Sequence, residues 1–359
     1  MKRLVFTSFC IAVWLSVSFV FAQSTSDHIS LSLQDRIRDI FDSSHNCVVR
    51  VKAIRKDSNE EKTNRVLKMG SGFFVSKDGH VLTTGLLRDA DQIWIEHEQA
   101  FYLAQLIGHD SLCNLSMLKV LNTEKEFPYL SVSDRADDLG PGSILVGLTC
   151  ALEFKVAPTF GLYQSGEISF GASLFPTKMI RSSVPLGPGE IGAPLFDLNG
   201  RFVGIAHAAL PDLGSSFILP ADACLRIRDG LLLSGQVDYG WFGVTVSRQI
   251  NKQNSFEIIV EGTVEGSPAS KSALKKGDCI KKIGSVEVVD RGDLAHAAFF
   301  AKPGTVVPFV VQRDNKTVSV PIKVEKRAVV LKEEESKIAE VDGAVPGGDS
   351  LQSQSSTIP

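Results

Sequence analysis

The sequence predicts a mainly β protein followed by a smaller α+β unit, and three observations carry that reading. Over the first two thirds of the chain, segments of strand length rich in Val, Ile and Phe alternate with turn clusters. Beyond a polar linker at 234–238, a second block mixes strands with one helix. From Lys332 onward an acidic run gives way to a Gly-, Ser- and Gln-rich end without aromatics, the composition of a disordered tail. A chain of 359 residues is too long for one ordinary core and suits two.

The elements follow in chain order. Lys2 and Arg3 precede an apolar run from Leu4 to Phe21, and Val20-Phe21-Ala22 places small residues before Gln23, the layout of an export leader cut after residue 22. That run also approaches the length of a spanning helix, about 20 residues, so an uncleaved membrane anchor stays open as the alternative. In the lead-in at 23–45, Ser32-Leu33-Gln34-Asp35 has the form of a capping box. Leu33, Ile37, Ile40 and Phe41 share one helical face, which predicts a short amphipathic helix. Strands are expected at 48–54, 71–76, 80–84, 92–96, 101–107 and 115–120, with Lys77-Asp78-Gly79-His80 as a turn. More follow at 143–148, 179–183, 194–197, 202–208 and 216–219, too many for an α/β arrangement and suited to an all-β barrel or sandwich. The second block runs from Trp241 to Val324, with a helix at 293–301 stopped by Pro303-Gly304.

Composition narrows the function. Hydrophobic residues make up 43% and charged residues 22%, as in soluble globular proteins, and a net charge of −3 offers no basic stripe for nucleic acid. Removing the leader takes Cys10 and leaves Cys47, Cys113, Cys150, Cys224 and Cys279, an odd number without CxxC spacing. They read as small buried hydrophobes, and neither a metal site nor a cofactor is expected.

Gly70-Ser71-Gly72-Phe73-Phe74-Val75-Ser76-Lys77-Asp78-Gly79-His80-Val81-Leu82-Thr83 resembles the opening strand pair of the HtrA/DegP-like serine proteases. Gly108-His109-Asp110-Ser111 and Leu115-Ser116-Met117-Leu118-Lys119-Val120 resemble that family's G-x-D-x…DLALLK segment. Pro188 to Gly200 resembles its PGNSGGPL…DG segment, and Val203-Gly204-Ile205 with Ser216-Phe217-Ile218-Leu219-Pro220 its VIGI and GFAIP elements. The likeness implies a chymotrypsin/trypsin-like double β-barrel over residues 46–232.

Transferred residue by residue, the resemblance places the family's catalytic histidine at Leu86, its aspartate at Asn114 and its serine at Ile191. A leucine cannot accept a proton and an isoleucine has no hydroxyl, so general base and nucleophile are both missing. Loss of either alone costs on the order of a millionfold in kcat. The expectation is a catalytically degenerate member. An offset hiding a working triad is the competing reading, and its candidates are His80, Ser182, Ser183 and His207. His80 lies in the Asp-Gly turn and no nucleophile-type turn surrounds the serines; the strand carrying His207 would border the family's specificity pocket. Gly189 and Gly192 flank Ile191, so the oxyanion loop is expected to keep its shape as a relic, although Ala193 replaces a family glycine.

The second block has its own likeness. Gly240-Trp241-Phe242-Gly243-Val244, Ser267-Pro268-Ala269, Ala273-Leu274-Lys275-Lys276-Gly277-Asp278-Cys279-Ile280, Lys302-Pro303-Gly304-Thr305-Val306 and Val311-Gln312-Arg313-Asp314 resemble, in order, an HtrA-type PDZ domain, here 236–327, followed by the tail at 328–359. Such domains add a peptide C-terminus as an extra strand and hold its carboxylate with loop N–H groups. Mapped here, the peptide-binding residues are Trp241, Phe242, Gly243, Val244, Leu294 and Ala298, with core packing as the other reading of Trp241. The expected function is an exported scaffold, periplasmic or secreted, that binds peptide or protein C-termini or unfolded proteins, as a homo-oligomer or with active homologues. An active serine endopeptidase with a rearranged site and a structural subunit of a mixed oligomer are the alternatives.

Overall fold

Alternation along the first strands decides which face turns inward: Val49, Val51, Phe74, Val81, Ile95 and Leu118 are buried together and form one core. In the computed structural model, the described residues are 33–59, 62–84, 90–133, 135–136, 138–171, 173–251 and 253–327. The leader, Ser32, Leu86 and the tail from 328 onward lie outside the described residues. The expected lead-in helix, α1, spans 33–44 and lays Ile37, Ile40 and Phe41 against Val48, Val146, Leu148 and Phe196.

Among the described residues, β1 (Val48–Asn59), β2 (Lys62–Phe74), β3 (His80–Thr84), β4 (Gln92–His97), β5 (Ala100–Asp110) and β6 (Leu115–Val120) close into a barrel ordered β1-β2-β3-β6-β5-β4. A second closed barrel, ordered β10-β11-β12-β9-β8-β7, is made by β7 (Ile144–Thr149), β8 (Ala157–Phe170), β9 (Ser173–Ser182), β10 (Pro194–Phe196), β11 (Phe202–Leu210) and β12 (Ser215–Pro220). Closure leaves neither sheet with an exposed edge. Its core holds Leu145, Ile180, Leu195, Val203 and Ile218. The fold is the expected mainly β double barrel, but β8 was not expected. Its sequence carries Pro158, Gly161 and Gly166 and is mostly half-exposed, so it lacks alternation. Gly161 is required there, since a Cβ would lie 2.5 Å from the Val184 nitrogen.

A second unexpected element, α2 (Ala221–Ser234), buries Ala223, Cys224, Ile227 and Leu231 in a cluster shared with Leu115 and Met117 of the first barrel and Phe217 and Leu219 of the second. Its C-cap, Gly235, adopts φ 71°.

The α+β unit follows with β13 (Gly240–Trp241), β14 (Val244–Ile250), β15 (Phe256–Thr263), β16 (Cys279–Ile283), β17 (Val286–Glu287), α3 (Arg291–Phe300), β18 (Val306–Arg313), β19 (Lys316–Lys323) and β20 (Glu325–Lys326). Its main sheet runs β14-β15-β16-β18-β19, which makes β14 an edge strand; β13 pairs with β20. The helix expected at 293–301 starts earlier because Asp290 caps it and forms a capping box with Asp293. One face of α3 lines the core around Phe242, Val260 and Phe309. The opposite face rests on the second barrel: a Cβ on Gly292 would lie 2.7 Å from the Ile168 Cβ, and the His296 Nδ1 meets the Thr177 Oγ1 at 2.8 Å.

Candidate functional site

Two places bring the sequence-derived residues together. At the barrel junction, the loop 187–193 is fastened from below by Ser71 of β2, which is fully buried. The Ser71 N–H donates to the Ile191 carbonyl at 2.9 Å, and its Oγ donates to the Gly189 carbonyl at 2.8 Å while accepting the Cys150 N–H at 3.0 Å. Gly192, at φ 94°, passes so close to Ser71 that a Cβ would lie 2.1 Å from the Ser71 carbonyl oxygen. The Gly192 N–H donates to the Ala206 carbonyl at 2.8 Å and the Ala193 N–H to the Glu190 carbonyl at 3.2 Å. The backbone is therefore held from two sides.

Its two central side chains are held in place by the second barrel. Ile191 packs against the apolar cluster of the second barrel, with Leu145, Val184, Leu186 and Ala206. The Glu190 carboxylate turns away, accepting the Thr149 Oγ1 at 2.6 Å and the Gly187 N–H at 2.5 Å. Asn114 sits exposed in the β5–β6 turn at φ 50°, after Asp110, whose carboxylate accepts the Cys113 N–H at 2.8 Å. Leu86 lies outside the described residues. The neighbouring thiol, Cys150, is buried and pushed up to about 11 by that burial. Burial thus favours the neutral thiol, the less nucleophilic form.

The other candidates are local pairs. His80 opens β3, and its Nδ1 meets the Ser76 Oγ at 2.8 Å across the Asp-Gly turn. Ser182 is fully buried and hydrogen-bonded to Ser216 at 2.7 Å. The Ser183 Oγ accepts the Leu162 N–H of the neighbouring strand at 2.9 Å. His207 is half-buried at the irregularity between Ala206 and Ala208 in the β11–β12 ladder. Sequence reasoning missed the His109 Nδ1 contact with the Ser116 Oγ at 3.0 Å, but Ser116 is fully buried and out of reach of a substrate. It also missed Ser71 as the fastener, since its partners lie far along the chain.

The second place is the groove between β14 and α3. Phe242 is buried edge-on to Phe309, with ring centroids 5.0 Å apart, so it anchors the loop in the core. The Phe242 carbonyl accepts the Ala269 N–H at 2.9 Å, and the Gly243 carbonyl accepts the Val264 N–H at 2.8 Å and the Ser267 Oγ at 3.2 Å. In planar trans peptides, carbonyls turned one way send the next N–H groups, of Gly243 and Val244, the other way. Gly243 has φ 73°, and a Cβ there would lie 2.2 Å from the Ser267 Cβ. Val244 and Val246 from the strand and Leu294 and Ala298 from the helix are half-buried on the same core, forming apolar walls. Trp241 is half-buried with its ring against Gly243. Among the described residues no cluster of His, Cys, Asp and Glu suits a metal ion, and none of the described helices is long and apolar enough to cross a membrane. The five described cysteines are buried thiols without disulfides.

A family model of the trypsin-like peptidase domain matches residues 70–205, and a model of the PDZ domain matches residues 228–324. A probable periplasmic serine endoprotease, DegP-like, of Pseudomonas fulva (strain 12-X) is 30% identical over 270 residues, which cover 71% of this chain and 55% of that protein. Its counterpart in Chlamydia trachomatis serovar D is 28% identical over 272 residues, covering 71% of this chain and 53% of that one. The chain spans about half the length of these curated relatives. Among solved structures, the HtrA-type protease AlgW with a decapeptide superposes with a TM-score of 0.64 at 22% identity, covering 81% of this chain and 99% of that one. The serine endoprotease from Yersinia pestis gives 0.56 at 19% identity, covering 81% and 98%. At these identities the structural likeness speaks for the fold.

Proposed function

We propose that this chain, which belongs to the HtrA family of trypsin-like proteins with a PDZ domain, is an exported and catalytically inactive member that binds peptide C-termini or unfolded segments through that domain. The observation that carries the proposal is Ile191: the residue that the family resemblance places at the nucleophile position is a half-buried hydrocarbon packed against the second barrel's core. The relatives are named serine endoproteases, and their acyl-transfer chemistry needs a hydroxyl made nucleophilic by a base. Here a fastened loop surrounds a side chain without one. An oxyanion loop alone gives residual acceleration at most. Export is supported by the leader at 1–22 and by relatives named periplasmic.

For binding, the proposed ligand extends the main sheet along β14, with its carboxylate on the Gly243 and Val244 N–H groups and its terminal side chain between Val244, Leu294 and Ala298. The AlgW structure that resembles this fold contains a decapeptide, which supports peptides as the ligand class. In this reading homo-oligomers or mixed oligomers with active homologues display the groove. The test is a comparison of one peptide with a free and an amidated C-terminus on the full chain. Charge-assisted hydrogen bonds are worth about 1.5–3 kcal/mol, so amidation should weaken binding about tenfold or more. Equal affinity for the two forms would remove the carboxylate site.

A further inference from the structure

We propose that Arg248 makes this groove select ligands with an acidic side chain at the fourth residue before the C-terminal one. The inference rests on the peptide-binding reading above and adds the ligand's charge. β14 is an edge strand, and Val244, Val246 and Arg248 follow one another at a spacing of two, so they share the face turned toward α3. At about 3.3 Å per residue, Arg248 lies about 13 Å along the strand from the carboxylate loop. A ligand strand paired antiparallel to β14 covers the same distance in four residues and points every second side chain to this face.

The guanidinium is held ready at that distance. It stacks on the Phe256 ring of β15, 3.6 Å from the centroid, which fixes its plane. Its Nη1 faces the Asp290 Oδ2 at 3.5 Å, a long ion pair that ties the strand to the start of α3. Asp290 is itself committed to the helix cap, where its Oδ1 accepts the Gly292 N–H at 3.1 Å. Arginine has five N–H donors in a planar fork, and one long pair occupies little of that capacity. The side chain remains 43% exposed, so a carboxylate arriving along the edge strand completes the fork as a bidentate pair. A lysine at the same ligand position meets a like charge.

The experiment uses the full chain and fluorescein-labelled peptides of one sequence, each ending in an apolar residue with a free carboxylate and differing only in Glu, Gln or Lys at the fourth position before the last. For the unaltered protein, Glu should bind about threefold more tightly than Gln and about tenfold more tightly than Lys, with the differences shrinking as salt is raised. Arg248→Gln should bind all three peptides equally, and Arg248→Glu should reverse the order. Phe256→Ala should narrow the gap by freeing the guanidinium. Since the unaltered protein already gives the preference, no misfolded variant can mask the result. Equal affinity for the three peptides overturns the selectivity and leaves the groove intact. Binding of none of them overturns the peptide reading as well.

Discussion

The two loops at the candidate sites, 187–193 at the barrel junction and 241–244 in the PDZ domain, are built alike in backbone and differ in the side chains they carry. Each turns on a glycine at positive φ, Gly192 at 94° and Gly243 at 73°. Each is fastened by a fully buried serine, Ser71 or Ser267, whose hydroxyl donates to a loop carbonyl. The junction loop sets Ile191 against the second barrel's apolar cluster and engages the Glu190 carboxylate with the Thr149 hydroxyl. The PDZ loop needs only backbone donors and apolar walls, and both are present. On the proposed function, a site whose chemistry resides in three side chains is lost with three substitutions, whereas a site made of peptide planes survives as long as the loop folds.

The strongest way to probe this parallel is to add one methyl group to each glycine. In Gly192→Ala the new carbon meets the Ser71 carbonyl oxygen, a backbone atom that cannot rotate aside. Strain and clash together should cost about 3 kcal/mol of stability, read as a lowered Tm, with peptide affinity unchanged. In Gly243→Ala the clash is with the Ser267 Cβ; peptide affinity should fall about tenfold or more with a smaller change in Tm. If both substitutions act mainly on Tm, the two loops are not separate devices.

Much of this architecture was legible in the sequence, for reasons that also mark the gaps. Strands such as His80–Thr84 and Leu115–Val120 are short segments rich in Val, Leu and Met between turn signals, and they stand where they were expected. α2 escaped notice because its buried stripe is made partly of short side chains, Ala223 and Cys224, and Gly230 interrupts it. That glycine serves a close return of the chain, as a Cβ would lie 3.0 Å from the Gln236 carbonyl oxygen. The PDZ loop was readable because its Phe, Gly and Val are contiguous. Ser71 was not, since its role depends on Cys150 and Gly189 of the other barrel, and tertiary hydrogen bonds leave no local signature. The Arg248–Phe256 stack joins two strands of one hairpin and needed the register of Val244–Ile250 against Phe256–Thr263 to be known.

A smaller effect, set by pH, distinguishes the two faces of α3. Burial holds His296 below the ordinary imidazole value; Asp222 and Asp293 pull it upward and Lys178 downward. Its Nδ1 accepts the Lys178 N–H at 3.3 Å, which requires that nitrogen to be unprotonated. A histidine with a lowered folded value stabilises fully above about pH 6.5 and loses that contribution as the pH falls below it. Acidification to about pH 5 should therefore raise hydrogen exchange in α3 and β9 while the β14 hairpin changes less. His296→Gln, which keeps an acceptor without titrating, should flatten the pH dependence. An unchanged pH profile in that variant would place the effect elsewhere.

The most direct measurement of the central claim is labelling of the unaltered full chain with a fluorophosphonate probe, followed by mass spectrometry of its peptides. With Leu86, Asn114 and Ile191 at the triad positions, no serine should be labelled at any pH. Ile191→Ser alone should stay unlabelled, because a serine without a neighbouring base is a weak nucleophile. The combined change Leu86→His, Asn114→Asp and Ile191→Ser is the minimal set that supplies nucleophile, base and orienting carboxylate. Labelling of the unaltered protein at any one serine, abolished when that serine becomes alanine, would contradict the account and establish an active endopeptidase with a rearranged site.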